Sequence, residues 1–193
     1  MRLQLAQPSP QVARTSRDIP LQMLIHHHRS VVSRSPIARG EAIFNTRQFV
    51  IDNVPGLNGR PEDPLRRPIQ NGTCTICHDM PNVGNHSIPM ALNIGVADAS
   101  RRTADLPLYT LRRRATGETV QTTDPGRAML TGKWNDIGKF KGPVLRALAA
   151  RPPYFHDGSA ATLADVIRFY DTRFQARFTE QEKADLLAFL LAL

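Results

Sequence analysis

Two cysteines three positions apart, with a histidine directly after the second, stand at Cys74-Thr75-Ile76-Cys77-His78. No other feature constrains the chain as strongly. Two thiols on one turn can reach the two vinyl groups of a haem, and each S–H adds across a vinyl C=C to leave a thioether. The imidazole that follows faces the iron from the same side. The pentapeptide therefore reads as a c-type haem attachment site, with His78 as the proximal iron ligand. Two rival readings lack their context. A redox dithiol sits at a strand-to-helix junction of a βαβ unit, and no such pattern surrounds these residues. A zinc site needs more ligands, and His78 and His86 could complete one only at an unusual spacing. These are the only two cysteines, so a disulfide scaffold is excluded.

A covalent haem changes what the rest of the chain must supply. With 193 residues there is room for one domain with a modest core and an extra arm. Apolar residues make up 41% but aromatics only 6%, and there are 15 prolines. That balance predicts short elements joined by ordered loops, with the porphyrin as the missing apolar bulk. Such a protein is expected to be loose without its cofactor.

Residues 1–33 are polar, basic and proline-containing, and are expected to form a poorly ordered arm. His26, His27 and His28 lie in this arm; such a run is solvated more often than it binds a metal. Ser35-Pro36 reads as a helix start, with Ile37, Ala42, Ile43 and Phe44 at helical spacing behind it. Residues 52–73 and the stretch DMPNVGNHSIPM after His78 read as loops. Residues 108–123 read as a small β-hairpin. Two capping boxes, Thr162/Asp165 and Thr179/Glu182, open two C-terminal helices, and Leu163, Val166, Ile167 and Tyr170 share one face of the first. The expected fold is mainly α: helices of residues 34–193 packed around one covalent haem as a c-type cytochrome domain, with a β-hairpin insertion.

The formal charge is +8, mostly from Arg. It suits an acidic redox partner. The densest cluster, Arg112-Arg113-Arg114, has no interleaved aromatics beyond Tyr109 and no groove-reading motif, which argues against nucleic acid. No apolar run is long enough to span a membrane. The N-terminus lacks the continuous apolar stretch of an export signal, whereas the haem motif implies the periplasm. That conflict favours a fragment of a longer exported protein.

The stretch FKGPVLRALAARPPYFHDGSAATLADVIRFYDTRF at 140–174 resembles the second haem domain of bacterial di-haem cytochrome c peroxidases. It is similar too to the methylamine-utilisation di-haem enzymes that mature a tryptophan-derived quinone. ARGEAIFNT, GTCTICHDMPNVGNH and DPGRA at 124–128 extend the likeness over residues 36–193. The resemblance implies a cytochrome domain whose parent carries a second, peroxidatic haem domain absent from this chain. It implies that Arg127, in DPGRA, neutralises a haem propionate. It also bears on the sixth iron ligand. In the peroxidases this is a Met fourteen residues after the His of P-Y-F-H, and in the quinone-forming relatives a Tyr takes that place. Fourteen residues on from His156 is Tyr170, the leading candidate; Met129, Met90 and His156 are the alternatives, and Met80 is too near His78 to reach the far face. Trp134 reads either as packing or as part of an electron path. The Nδ1 proton of His78 is expected on a backbone carbonyl.

Three functions follow. The first is electron transfer through one haem c and its iron, within a di-haem peroxidase-like oxidoreductase. The second is oxidative chemistry, peroxide reduction or protein-radical formation, on a His/Tyr-ligated haem. The third is a non-enzymatic haem- or metal-binding module. No residue of this chain is assigned as catalytic.

Overall fold

The structure is a computed structural model and describes residues 35–59, 67–79 and 86–193. The expected arm with its three histidines, and Met80, lie outside those residues.

Three helices carry the fold: α1 (Pro36–Thr46), α2 (Leu163–Phe174) and α3 (Glu180–Leu191). Each begins where the sequence places a start signal. Ser35 precedes Pro36 with extended backbone, although its side chain makes no cap bond. At Thr162 and Thr179 both reciprocal capping-box bonds form, to Asp165 and Glu182 respectively. α2 ends at Gln175, which takes a left-handed conformation.

α1 and α3 cross closely. Gly40 lies at the crossing: a Cβ there would stand 2.0 Å from the Asp185 carbonyl oxygen and 2.6 Å from the Phe189 Cβ. Only glycine permits that approach. Beside it Arg39 clasps the buried Asp185 carboxylate with two 2.7 Å bonds, Nε to Oδ2 and Nη2 to Oδ1. Phe44 and Phe189 meet at the same crossing with ring centroids 5.6 Å apart.

Between the helices runs more strand pairing than the sequence suggests. The expected hairpin forms, with β6 (Tyr109–Arg112) antiparallel to β7 (Thr119–Thr122). Three further two-stranded ladders join β1 (Phe49–Ile51) to β2 (Ile69–Gly72), β3 (His78–Asp79) to β4 (His86–Ser87), and β5 (Ala91–Leu92) to β8 (Phe140–Lys141). Fold and sequence therefore differ here: the ends of stretches read as loops are tied together in pairs. Pairs this short leave no sequence period, and loop backbone that leaves water must bond to something.

The core has two clusters. One gathers Phe44, Leu163, Ile167, Phe178 and Phe189 with Leu145 and Leu148; the other gathers Ile51, Val54, Leu57 and Leu92. Phe49 packs against both. Among the described residues, no helix is long and apolar enough to cross a membrane.

Candidate haem site

Cys74-Thr75-Ile76 forms a single 3-10 turn, closed by Cys77 N–H donating to the Cys74 carbonyl at 3.3 Å. Thr73 and Thr75 hydroxyls bond each other at 2.6 Å across its start. This tight turn sets the two thiols on different clusters, Cys74 against the first and Cys77 against the second. Neither cysteine is in a disulfide. The attachment motif thus lies on the seam of the core, with His78 directly after it.

Aromatic rings line that seam. The His78 imidazole lies 6.2 Å from the Phe44 ring and 6.5 Å, edge-on, from the Tyr170 ring. Tyr170 stacks on Phe174 at 6.0 Å and touches Phe169 and Phe155 at 5.5 and 6.4 Å. Phe155 reaches this group from a strained backbone: its φ is +66°, rare for an aromatic residue. A bridge between Tyr154 and Ala160, and the Tyr154 hydroxyl on the Leu148 carbonyl at 3.1 Å, hold the turn in that shape.

The electrostatics are those of a dry site. Burial pushes the His78 imidazole down to about 4, and the Pro143 carbonyl only partly opposes this. The ring is therefore neutral at pH 7, the form that binds iron. Its Nδ1 is buried without a hydrogen bond of strict geometry among the described residues, and the Pro143 backbone carbonyl is the acceptor that acts on it. Burial pushes the Cys74 thiol up to about 12, with negative charge at Cys77 adding to the shift. The Tyr170 phenol is raised above its ordinary value by burial first, then by charge at Cys77 and Cys74. Tyr170 is thus electrostatically close to both thiols as well as to His78.

These residues fit a haem. Two thiols at thioether spacing, a neutral imidazole and a buried phenol beside it would supply donors suited to a c-type haem in this apolar seam. Among the described residues, no three His, Cys, Asp or Glu side chains cluster as metal ligands.

The other candidates stand elsewhere. His156 bonds Asp124 through Nδ1, packs on the Phe140 ring at 4.7 Å, and keeps 61% of its side chain exposed. Met129 is 72% exposed, and shares a surface pocket with His156, Asp124 and Tyr109. Met90 packs against the second cluster, as Cys77 does. Arg127 is 47% exposed and faces Asp136 at 3.6 Å. Trp134 lies on a short turn with the Arg113 guanidinium 6.0 Å from its ring. One feature escaped sequence reading. A groove lined by Arg47, Arg173 and Arg177 has Phe174 in its wall, and Phe174 stacks on Tyr170. The three arginines are 126 and 4 positions apart along the chain, so no local pattern announces them.

Comparison with known proteins adds the following. No family model matches the chain. A cytochrome-c peroxidase of Denitromonas iodatirespirans is 31% identical over 140 residues, covering 62% of this chain and 36% of that protein. A cytochrome c551 peroxidase of Nitrosomonas europaea is 37% identical over 76 residues, 38% of this chain and 23% of that protein. A solved structure, described as a MauG-like protein associated with microbial copper homeostasis, superposes with a TM-score of 0.46 and 22% identity over 87% of this chain and 47% of its own. The chain spans about a third of the length of the first of these relatives.

Proposed function

We propose, on the premise that this chain belongs to the bacterial di-haem cytochrome c peroxidase family, that residues 34–193 are a c-type cytochrome domain passing electrons through one covalent haem. The observation that carries this reading is the convergence of Cys74, Cys77, His78 and Tyr170 on one apolar seam. Bound there, a haem supplies one-electron chemistry between Fe(III) and Fe(II).

Each residue has a defined task. Cys74 and Cys77, on one turn, would hold a haem through two thioethers. His78 presents a neutral imidazole, because burial disfavours its cation. Tyr170, beside His78, would offer its phenol as a further iron donor, and an anionic oxygen there would favour the oxidised state. Phe44, Phe155 and Phe174 exclude water around the pair. The Arg47–Arg173–Arg177 groove, joined to Tyr170 through Phe174, suits an acidic redox partner.

The parent protein is proposed to be periplasmic and to carry a second haem domain. An oxidative role on a His/Tyr-ligated haem is the second reading, and the phenol beside His78 is what favours it. A redox titration and a peroxide assay on the haem-loaded chain separate the two. Electron transfer alone predicts one reversible one-electron couple and no peroxide turnover; sustained turnover contradicts it.

A further inference from the structure

We propose that Arg101 is the cation that holds a haem propionate in this chain, a place that sequence likeness gives to Arg127. The proposal rests on the haem reading above and deepens it.

Arg101 ends a short 3-10 turn at 99–101. Its guanidinium lies over the Phe169 ring at 4.5 Å and within 5.7 Å of the Phe155 ring. Both rings touch Tyr170, which faces His78. Arg101 is therefore one aromatic layer away from the His78–Tyr170 pair. A planar guanidinium stacked on a ring keeps its N–H donors in plane at the edge, the geometry a carboxylate accepts.

One of those donors is committed. Nη2 donates to the Ser159 hydroxyl at 3.0 Å and is thereby tied to the turn that follows Phe155. Nε is buried and has no partner among the described residues. A buried cationic donor left unsatisfied is costly, and a carboxylate oxygen removes that cost. A haem propionate is a carboxylate, and burying a carboxylate is costly unless a cation pairs with it.

Arg127 is placed differently. It is nearly half exposed and faces Asp136. The Asp136 carboxyl is itself held below its ordinary value, first by the Thr131 hydroxyl, with Lys139 and Arg127 adding to the effect. Arg127 thus has a carboxylate of its own. The rival partner for Arg101 is Asp157, whose Oδ2 is also buried and unpartnered among the described residues. A water between the two would make Arg101 a support of the turn only.

The test is the midpoint potential of the haem-loaded chain and its variants, each first shown by pyridine haemochrome to carry covalent haem. Absence of haem from the unmutated chain sinks the haem reading itself and is thereby told apart from failure of this inference. Removing a positive charge beside the haem favours Fe(III). Arg101→Gln is expected to move the redox equilibrium about tenfold toward the oxidised form, a fall of about 59 mV for one electron. Arg101→Lys should recover most of that fall, and Arg127→Gln should shift the equilibrium less. An unchanged potential in Arg101→Gln, or a larger fall in Arg127→Gln, overturns the assignment. If Arg101→Gln yields no holoprotein, Ser159→Ala decides, because it releases the guanidinium without removing it: a lowered potential supports the role and an unchanged one contradicts it.

Discussion

Tyr170 and His78 meet across a seam that neither cluster of the core fills alone, and the chemistry proposed for the chain depends on that meeting. A phenol in dry surroundings is held neutral; a bound cation reverses the preference and stabilises the anion. Tyr170→Phe keeps the ring and its stacking on Phe174 but removes the oxygen. In the haem-loaded protein the variant should lose the phenolate-type visible spectrum while covalent haem content stays the same. An unaltered spectrum would remove Tyr170 from the iron. At this scale the sequence is most informative where chemistry demands a spacing. Cys74, Cys77 and His78 are legible because the haem proposed for them would need two thioethers and an iron ligand from adjacent positions. Tyr170 is legible only through likeness to a family, since the fourteen residues separating it from His156 have no local meaning. The Arg101 guanidinium is not legible at all: its role comes from rings at 155 and 169, brought to it by the fold.

Among the elements, the α1–α3 crossing is the most constrained. Gly40→Ala would drive a methyl into the backbone of Asp185, and overpacking of this kind costs about 1–3 kcal/mol. Urea unfolding should show a lower midpoint with an unchanged slope, and an unchanged midpoint would mean that the helices part freely. The Arg39–Asp185 pair at the same crossing has a pH signature. The Asp185 carboxyl is held below its ordinary value, first by the Arg39 hydrogen bonds, whereas the unfolded chain titrates at about 3.9. Its contribution is therefore complete above that value and is lost as pH falls through the lower, folded value. Arg39 is 37% exposed, so solvent screens the pair and the effect is modest. Arg39→Gln should flatten the loss of stability between pH 5 and pH 3 (a window of about two units around the carboxylate range); parallel profiles for the two proteins would show that the pair does not matter.

Element boundaries follow the same logic of what leaves a local mark. Thr162 and Thr179 announce α2 and α3 because capping boxes are local, reciprocal and four residues long. The hairpin of β6 and β7 is legible from two short runs around a turn. The ladders of two to four residues are not, since their partners are distant and their hydrophobic period is too short to register.

As a whole molecule, the described chain is two apolar clusters joined along a seam of rings, with the attachment turn set between them. Phe44, Phe155, Phe169 and Phe174 gather around His78 and Tyr170. The matched segment covers 36% of the first curated relative. The central claim, that Cys74, Cys77 and His78 hold a covalent haem, is tested most directly by co-expressing the chain with a cytochrome c maturation system in the periplasm, denaturing it, and recording its pyridine haemochrome beside that of Cys74→Ala/Cys77→Ala. The account predicts one thioether-linked haem per chain, retained through denaturation and absent from the double variant. Two titratable thiols and no haem retained by the unmutated chain would contradict it.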